Sequence, residues 1–278
     1  SITLNLFNDL NLTANFVSMG PSANGGFLWR GAIEGYVDSK VLITFRESTA
    51  MGTIRFADQT VQLEYAGNGV HRVLLADHSQ WPCCGTGLSH TIAAEADEQV
   101  GIQAGNPEIT VMVIYTTEAK SSVGSTAAME NKIDLAVVET NDSFADSGLS
   151  HRIELVYAEE AIGYVEDPTF FGILDDVTVN GDGELDWVHE VRDQLAADMV
   201  AVLCDNYQYC GLAWLMTNVG QGMADYAFSV TNESCATGGD VFAHELGHNM
   251  GSNHDRNNAS SGAYSYSFGY RTPNNAYK

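Results

Sequence analysis

Three histidines and one glutamate near the end of the sequence are spaced so that they can share one metal ion and one water molecule. His244 and His248 are four residues apart, so in a helix both imidazoles leave the same face, one turn apart. Glu245 follows the first histidine directly, and its carboxylate can reach a water on the metal without binding the metal itself. Gly251 tolerates the left-handed conformation that ends a helix and turns the chain, which brings back His254 as a third ligand.

This ligand set predicts a catalytic zinc ion. Imidazole nitrogens bind zinc at about 2.0–2.1 Å, and three protein ligands leave the fourth position for water or substrate. A carboxylate beside that position predicts hydrolysis by an activated water molecule, with Glu245 as the general base. Five fixed positions in a chain with 8 histidines make the expected number of chance matches on the order of 10⁻⁴.

The elements around the motif divide the chain into three parts. Short alternating runs predict an antiparallel β domain over residues 1–88. Residues 89–108 are polar, acidic and without a period, which predicts an exposed linker where proteases cut. Over 109–278, strands alternate with helical patterns, including a last helix from about Asp240 to Met250. This alternation predicts an α/β fold with a mostly parallel sheet.

Charge excludes several kinds of partner. Asp and Glu total 36 against 12 Lys and Arg, a formal net charge of -24, which repels nucleic acids and anionic membrane surfaces. No apolar run reaches the ~18 residues that a membrane span requires. Residues 180–186 hint at a Ca²⁺ loop but lack the first carboxylate and the final bidentate glutamate, so a turn is the favoured interpretation.

The stretch from His244 to Asp255 resembles the long zinc signature of the metzincins, HExxHxxGxxH. Asp255 after the third histidine is similar to the adamalysin–reprolysin branch, and most of 109–278 resembles the bacterial members of that branch. The segments that carry this likeness are VMVIYT at 111–116, LD to AD over 185–198, CGLAW at 210–214 and SCAT at 234–237.

The resemblance implies a secreted, extracellular zinc endopeptidase that acts on proteins or peptides. It implies structural roles for Gly251 and Asp255 and a disulfide between Cys210 and Cys235. The residues that would hold the substrate as an added strand are Gly211, Leu212, Ala213 and Trp214. Such enzymes have a Met-turn after the third histidine. No methionine follows His254, so we expect the Met-turn and the specificity-pocket wall to lie outside this chain.

The front of the chain is similar to the inhibitory pro-segments of secreted bacterial enzymes of this branch. The five cysteines are Cys83, Cys84, Cys204, Cys210 and Cys235, and an odd number leaves at least one thiol unpaired. The segment WPCCG at 81–85 resembles a cysteine switch, in which a thiolate takes the open zinc position of a latent enzyme at about 2.3 Å. The glycine that follows points to Cys84. The alternatives are a vicinal disulfide with Cys83, a bond to Cys204, or Asp77 as a carboxylate ligand.

Together these patterns predict a zinc metalloendopeptidase kept latent by its own pro-domain. The rival hypotheses are a zinc-bearing binding protein on a metzincin scaffold and a metal-dependent hydrolase of non-peptide substrates. Glu245 argues against the first rival, because a binding module has no need of a base beside the metal. Nothing in the sequence favours the second.

Overall fold

A computed structural model describes residues 1–85, 88–89 and 108–270 of the chain. The N-terminal part is a seven-stranded antiparallel sheet in which the strands follow their order in the sequence. These strands are β1 (Ile2–Phe7), β2 (Leu10–Pro21), β3 (Phe27–Ile33), β4 (Lys40–Arg46), β5 (Thr49–Phe56), β6 (Gln59–Tyr65) and β7 (His71–Leu75).

Apolar side chains that alternate along these strands bury one face of the sheet. Val41, Ile54 and Val61 lie at its centre and are almost inaccessible to solvent. Short turns set the register of the hairpins, and the turn between β6 and β7 has Asn68 and Gly69 in the left-handed region, with Val70 N–H donating to the Gly67 carbonyl. The antiparallel β structure predicted for the front of the chain is thus present.

A second, mixed sheet contains six strands in the order β10-β9-β11-β13-β12-β8. Neighbouring strands are parallel except for β12, which is antiparallel to β13. The strands are β8 (Leu88–Ser89), β9 (Glu108–Thr116), β10 (Arg152–Ala161), β11 (Met199–Cys204), β12 (Gly211–Leu215) and β13 (Phe228–Asn232). The helices are α1 (Thr117–Val123), α2 (Thr126–Asp146), α3 (Phe170–Thr178), α4 (Trp187–Leu195) and α5 (Val241–Asn249).

Helices cover both faces of this sheet, so its central strands are apolar on both sides. Strand β11 is buried along its whole length. One apolar cluster joins side chains of the sheet to α2 and α5, and the other joins them to α3 and α4. Helix α5 therefore lies against β12 and β13, where it can present side chains beside the edge of the sheet.

Helix α2 connects the two sheets. Leu28, Leu42 and Met51 of the N-terminal sheet belong to the same buried cluster as Met129 and Ile133 of α2. Such continuous apolar burial makes the two sheets one packed unit along α2.

Polar contacts reinforce that junction, since Asn131 Nδ2 donates to Thr44 O at 3.2 Å and to Thr49 Oγ1 at 3.1 Å. Arg30 forms an ion pair with Asp142 at 2.6 Å. Among the described residues, the helices lack the length and apolar character that crossing a bilayer requires.

Candidate active site

Helix α5 and the turn after it bring the three histidines together. His244 and His248 lie one turn apart on α5, and their ring centroids are 4.6 Å apart. Gly251 has φ +90°, the left-handed conformation that the motif predicts, and a Cβ there would lie 2.5 Å from Ala263 Cβ. The turned chain places His254 Nε2 3.1 Å from His244 Nε2. The ligand nitrogens of all three rings lie within 4.8 Å of one another.

His248 shows how one ring is prepared for a metal. Its Nδ1 lies 2.8 Å from the Ser252 carbonyl oxygen, a partner that requires the proton on Nδ1 and leaves Nε2 as an acceptor. That Nε2 is buried and has no hydrogen-bond partner among the described residues. Burial, and the neighbouring imidazole, lower the pKa of His248 to about 4, so the ring is neutral at physiological pH. Three converging imidazoles with an orphaned nitrogen fit a zinc ion.

Glu245 is enclosed beside these rings. It has no exposed surface, and both carboxylate oxygens lack a hydrogen-bond partner among the described residues. Burial raises its pKa to about 8, an effect that the nearby Cys84 thiol partly offsets. Strand β12 passes so close that a Cβ on Gly211 would lie 2.3 Å from Glu245 Oε1. Only glycine leaves room for this carboxylate under the edge strand.

Two asparagines within the motif hold the site to the sheet, a role that their positions in the sequence do not reveal. Asn249 Nδ2 donates to Trp214 O at 2.9 Å and to Phe228 O at 3.0 Å, which ties the end of α5 to β12 and β13. Asn253 Oδ1 accepts the backbone N–H of His254 at 2.7 Å, and its Nδ2 donates to Ser261 O at 2.6 Å. These bonds fix the turn that carries the third histidine.

Cys84 lies at this site, whereas Cys83 and Asp77 do not. The Sγ atom of Cys84 lies within 4.8 Å of a ring nitrogen of His244 and a carboxylate oxygen of Glu245. Burial, followed by the charge of Glu245, raises the pKa of this thiol. Cys83 is exposed, and Asp77 Oδ1 accepts the N–H and the hydroxyl of Ser79 in a short helical turn.

The chain just after Cys84 runs along the edge of the second sheet. Gly85 N–H donates to Gly211 O at 2.8 Å. Leu88 and Ser89 then pair in parallel with Trp214 and Leu215 as strand β8. This segment covers the backbone edge of β12 that the sequence assigns to substrate. The predicted cleavage segment between Ser89 and Glu108 lies outside the described residues.

Strand β12 contains the four residues predicted to hold substrate, and these residues differ in their contacts. The backbone of Gly211, Leu212 and Ala213 pairs with β13 on one side. The Trp214 ring is only 8% exposed, and its Nε1 donates to Thr178 Oγ1 at 2.8 Å. Its ring therefore packs against α3, and the contact with an added substrate strand stays a prediction for the backbone of this residue.

Cys210 and Cys235 are joined by a disulfide, the pair that the resemblance implies. Trp81 packs against them, so close to Gly239 that a Cβ there would lie 2.3 Å from its ring. The remaining cysteines are free thiols. Neither the vicinal disulfide of Cys83 with Cys84 nor a bond to Cys204 is formed, and both alternatives are wrong.

Two other acidic residues, Asp186 and Asp255, stabilise turns by accepting hydrogen bonds. The Asp186 carboxylate accepts the N–H groups of Gly181 and Gly183, so it completes the turn at 180–186. Asp255 accepts the N–H of Asn257 at 3.0 Å and the amide of Asn258 at 2.6 Å, directly after the third histidine. Among the described residues, the groups able to hold a metal are His244 with His248 and His254, and Cys84 with His244 and Glu245.

Comparison with known proteins agrees with this geometry. The chain is 29% identical over 270 residues to a peptidyl-Asp metalloendopeptidase of Stenotrophomonas maltophilia (strain R551-3), a match that covers 89% of this chain and 63% of that protein. It is 30% identical over 234 residues to a peptidyl-Asp metalloendopeptidase of Xanthomonas campestris pv. campestris, covering 81% of this chain and 54% of the relative. The chain thus spans less than two thirds of these relatives.

The fold is similar to the crystal structure of metalloproteinase-II from Bacteroides fragilis, with a TM-score of 0.50 and 13% identity. That likeness covers 88% of this chain and 78% of the other, so it reaches into both sheets. A family model, Reprolysin_5, described as Metallo-peptidase family M12, matches residues 106–277. This match takes in strands β9 to β13 of the second sheet, α5 and all three histidines, and the chain therefore belongs to Metallo-peptidase family M12.

Proposed function

We propose that this protein hydrolyses peptide bonds in proteins, with a zinc ion held by His244, His248 and His254. The observation that carries the proposal is the convergence of three ring nitrogens within 4.8 Å, beside a fully buried glutamate. A structural zinc site has four protein ligands, whereas three histidines leave a position for water and substrate. The metallopeptidase family agrees with this chemistry.

Each part of the proposed site has its own role in the hydrolysis. A bound zinc ion supplies a Lewis acid that polarises the peptide carbonyl and acidifies a water molecule. The Glu245 carboxylate takes the proton of that water and delivers it to the leaving amine. Its complete burial keeps the accepted proton away from bulk water until the amine takes it. The backbone of β12 aligns the substrate as an added strand, and Gly211 lets that strand pass over Glu245.

The substrate class that we propose is protein or peptide chains cut at aspartate residues. Both relatives compared above are peptidyl-Asp metalloendopeptidases. A binding protein on the same scaffold would hold zinc without cutting substrate.

A digestion experiment tests the main proposal. Casein digestion should stop after removal of metal by a chelator and return on addition of zinc. His254→Ala should lower the zinc content measured by mass spectrometry, because one of three ligands is lost. Full zinc occupancy in that variant would contradict the ligand set, and zinc binding without casein cleavage would favour the binding protein.

We also propose that the form with residues 1–88 is a latent, secreted precursor. Gly85 and the strand Leu88–Ser89 lie along β12, where an added substrate strand would pair, and Cys84 Sγ lies beside His244 and Glu245. The activation cut would fall within 89–108, before the catalytic part at 109–278.

Cys84→Ser should then cleave itself early, and a mercurial that modifies thiols should activate the intact precursor. Cys83→Ser is the matched control, because Cys83 is exposed. Equal latency in the Cys84→Ser variant and the unmodified chain would exclude the thiol and leave steric blocking by the segment.

A further inference from the structure

Two cavities of similar size in the described part of the chain differ in charge. One, of about 320 Å³, is lined by Asp175, Asp225 and Trp214 among others. The second, of about 310 Å³, is lined by Arg256 together with Phe268 and serine residues, and no carboxylate lines it. Both reach the size of small-ligand sites. The first repels an anion, whereas the second attracts one.

Arg256 is held in place but keeps most of its hydrogen-bonding capacity. Its guanidinium carbon lies 4.1 Å from the centre of the Phe268 ring, a contact that orients the planar group. One of its terminal nitrogens donates to the carbonyl oxygen of Ser265. A guanidinium has five N–H donors. Among the described residues no carboxylate forms an ion pair with it.

The other cations of residues 108–270 are already engaged. Lys120 pairs with Glu160, and Lys132 pairs with Glu233 in the interior. Arg192 donates to three backbone carbonyls, and Arg152 donates to the carbonyls of Leu149 and His151. Of the two cavities, the second is the one lined by a cation, Arg256.

Hydrogen bonds connect the walls of the cavity to the turn that carries the third histidine. Arg256 is two residues after His254, so their Cα atoms are at most about 7.6 Å apart. The walls are tied to the same turn, because Asn253 N–H donates to Ser267 O at 3.0 Å and Gly269 N–H donates to Asn253 O at 2.7 Å. The cavity therefore lies on the segment that carries the third metal ligand.

These observations support one inference about the ligand of the cavity, and this inference rests on the proposed peptidase function. We infer that the cavity takes the carboxylate of a substrate aspartate and that Arg256 is its recognition residue. The planar guanidinium can form paired, charge-assisted hydrogen bonds with a carboxylate. Hydroxyl groups of Ser260, Ser261 and Tyr264 also line the cavity and are further donors. In a chain of net charge -24, this local positive site offsets the general repulsion of an acidic substrate.

A binding experiment on the intact chain tests the site without any need for catalysis. The probe is N-acetyl-L-aspartate α-methylamide, titrated into the chain and followed by NMR. The matched asparagine compound has the same shape and no charge. We expect the aspartate probe to bind about 10- to 100-fold more tightly, the range of a hydrogen bond to a charged group. Arg256→Gln should remove this difference, and Arg152→Gln should keep it.

Either of two results would overturn the assignment. One is equal affinity of the aspartate and asparagine probes for the unaltered chain. The other is an unchanged preference in Arg256→Gln, since the cavity would then bind the anion through other groups. Arg256→Lys keeps the charge and loses the planar fork, so it should retain part of the preference.

Kinetics separate this site from the proposed function. After cleavage of the activation segment, matched aspartate and asparagine peptides should differ in kcat/KM by the same factor, and Arg256→Gln should make them equal. Hydrolysis of both peptides at equal rates by the unaltered enzyme would refute the site and leave the peptidase. Binding of the aspartate probe without any hydrolysis would refute the peptidase and leave the site.

Discussion

The two most deeply buried glutamates of the described residues lie in different places, one where the N-terminal sheet meets helix α2 and one beside the three histidines. Glu139 is 2% exposed and Glu245 is fully covered. Burial raises the pKa of both carboxyl groups, to about 7 in Glu139 and about 8 in Glu245. Glu139 Oε2 accepts the N–H of Gly238 at 2.8 Å, and the charge of Arg55 lowers its pKa in part. Neither oxygen of Glu245 has such a partner among the described residues.

The comparison distinguishes a carboxylate bonded to the loop before α5 from one placed among groups that bind a metal. Burying a charged group without a partner is costly, so most buried polar groups in folded proteins have at least one. At Glu139 that loop supplies a partner to Oε2, whereas Oε1 has none among the described residues. At Glu245 the neighbours are imidazoles and a thiol, which are groups that bind a metal.

The largest expected effect is on hydrolysis. Glu245→Gln should lower kcat/KM by about 10²–10⁴-fold, the usual contribution of a positioned proton-transfer group. Zinc content should stay the same, because the three histidines are unchanged. Glu139→Gln is the matched control, since it removes an equally buried carboxylate away from the metal site, and it should leave kcat/KM of the activated enzyme within a few-fold. Similar losses in the two variants would remove the distinction between the two glutamates.

The second-largest effect on hydrolysis is expected for a substitution that displaces the Glu245 side chain but keeps its carboxylate. A Cβ on Gly211 would lie 2.3 Å from Oε1, so Gly211→Ala must move the side chain or the strand. Misplacement by about 1 Å costs roughly 10²-fold in rate, which kinetics on a peptide substrate would measure. Gly247→Ala is the control, because the nearest atom to its Cβ is Ser252 Cβ at 4.0 Å. Full activity of Gly211→Ala would show that the close approach does not position the base.

The third prediction concerns stability and pH. The pKa of Glu139 is raised from 4.5 to about 7, so between these values the folded state holds a proton that the unfolded chain has released. Its contribution to the free energy of unfolding therefore decreases as pH rises through this window.

Glu139→Gln does not ionise, so relative to the unaltered chain it should gain on the order of 3 kcal/mol between pH 5 and pH 8, at 1.36 kcal/mol per pKa unit. Urea unfolding of both proteins in the same metal state measures the change. Parallel pH profiles would contradict the assignment of a raised pKa to this group.

The smallest effect is expected for Arg55, which forms an ion pair with Asp240 at 3.1 Å. Both side chains are about a third exposed or more, so the pair contributes about 0–1 kcal/mol. Arg55→Gln should cost no more than this at pH 5, where Glu139 is protonated. It should also raise the pKa of Glu139, because a positive charge that lowers it is lost. A stability loss of several kcal/mol at pH 5 would place this pair among the main supports of the junction.

Local patterns predicted the framework of the site. The spacing of His244, His248 and His254 predicted one face of a helix and a returning turn, and α5 with the left-handed Gly251 has that geometry. Alternating apolar residues predicted the antiparallel sheet, because each strand buries one face in any packing. The alternation of strands and helices in the second part also predicted a mostly parallel sheet. It did not predict the direction of β12, because the sequence of so short a strand does not indicate it.

Contacts between distant residues could not be predicted in this way. The sequence named Cys84 but left two disulfides and Asp77 as a ligand open, and only the fold places Cys84 beside His244, 160 residues away along the chain. The packing of the Trp214 ring on α3 likewise depends on residues that are far apart in the chain. No pattern in the sequence predicted the cavity lined by Arg256 or the hydrogen bonds that Asn249 donates to the sheet. Neither residue has a periodic or motif position that implies its partners.

The sequence by itself determined which groups could hold a metal, because ligand type and helical spacing are local properties of the chain. The tertiary structure alone decided the surroundings of those groups. Packing of α5 under β12 removes Glu245 from water and raises its pKa, and the same packing requires glycine at position 211. These properties depend on the distance between segments that are far apart in the chain, and that distance is set by the packing of helices against sheets.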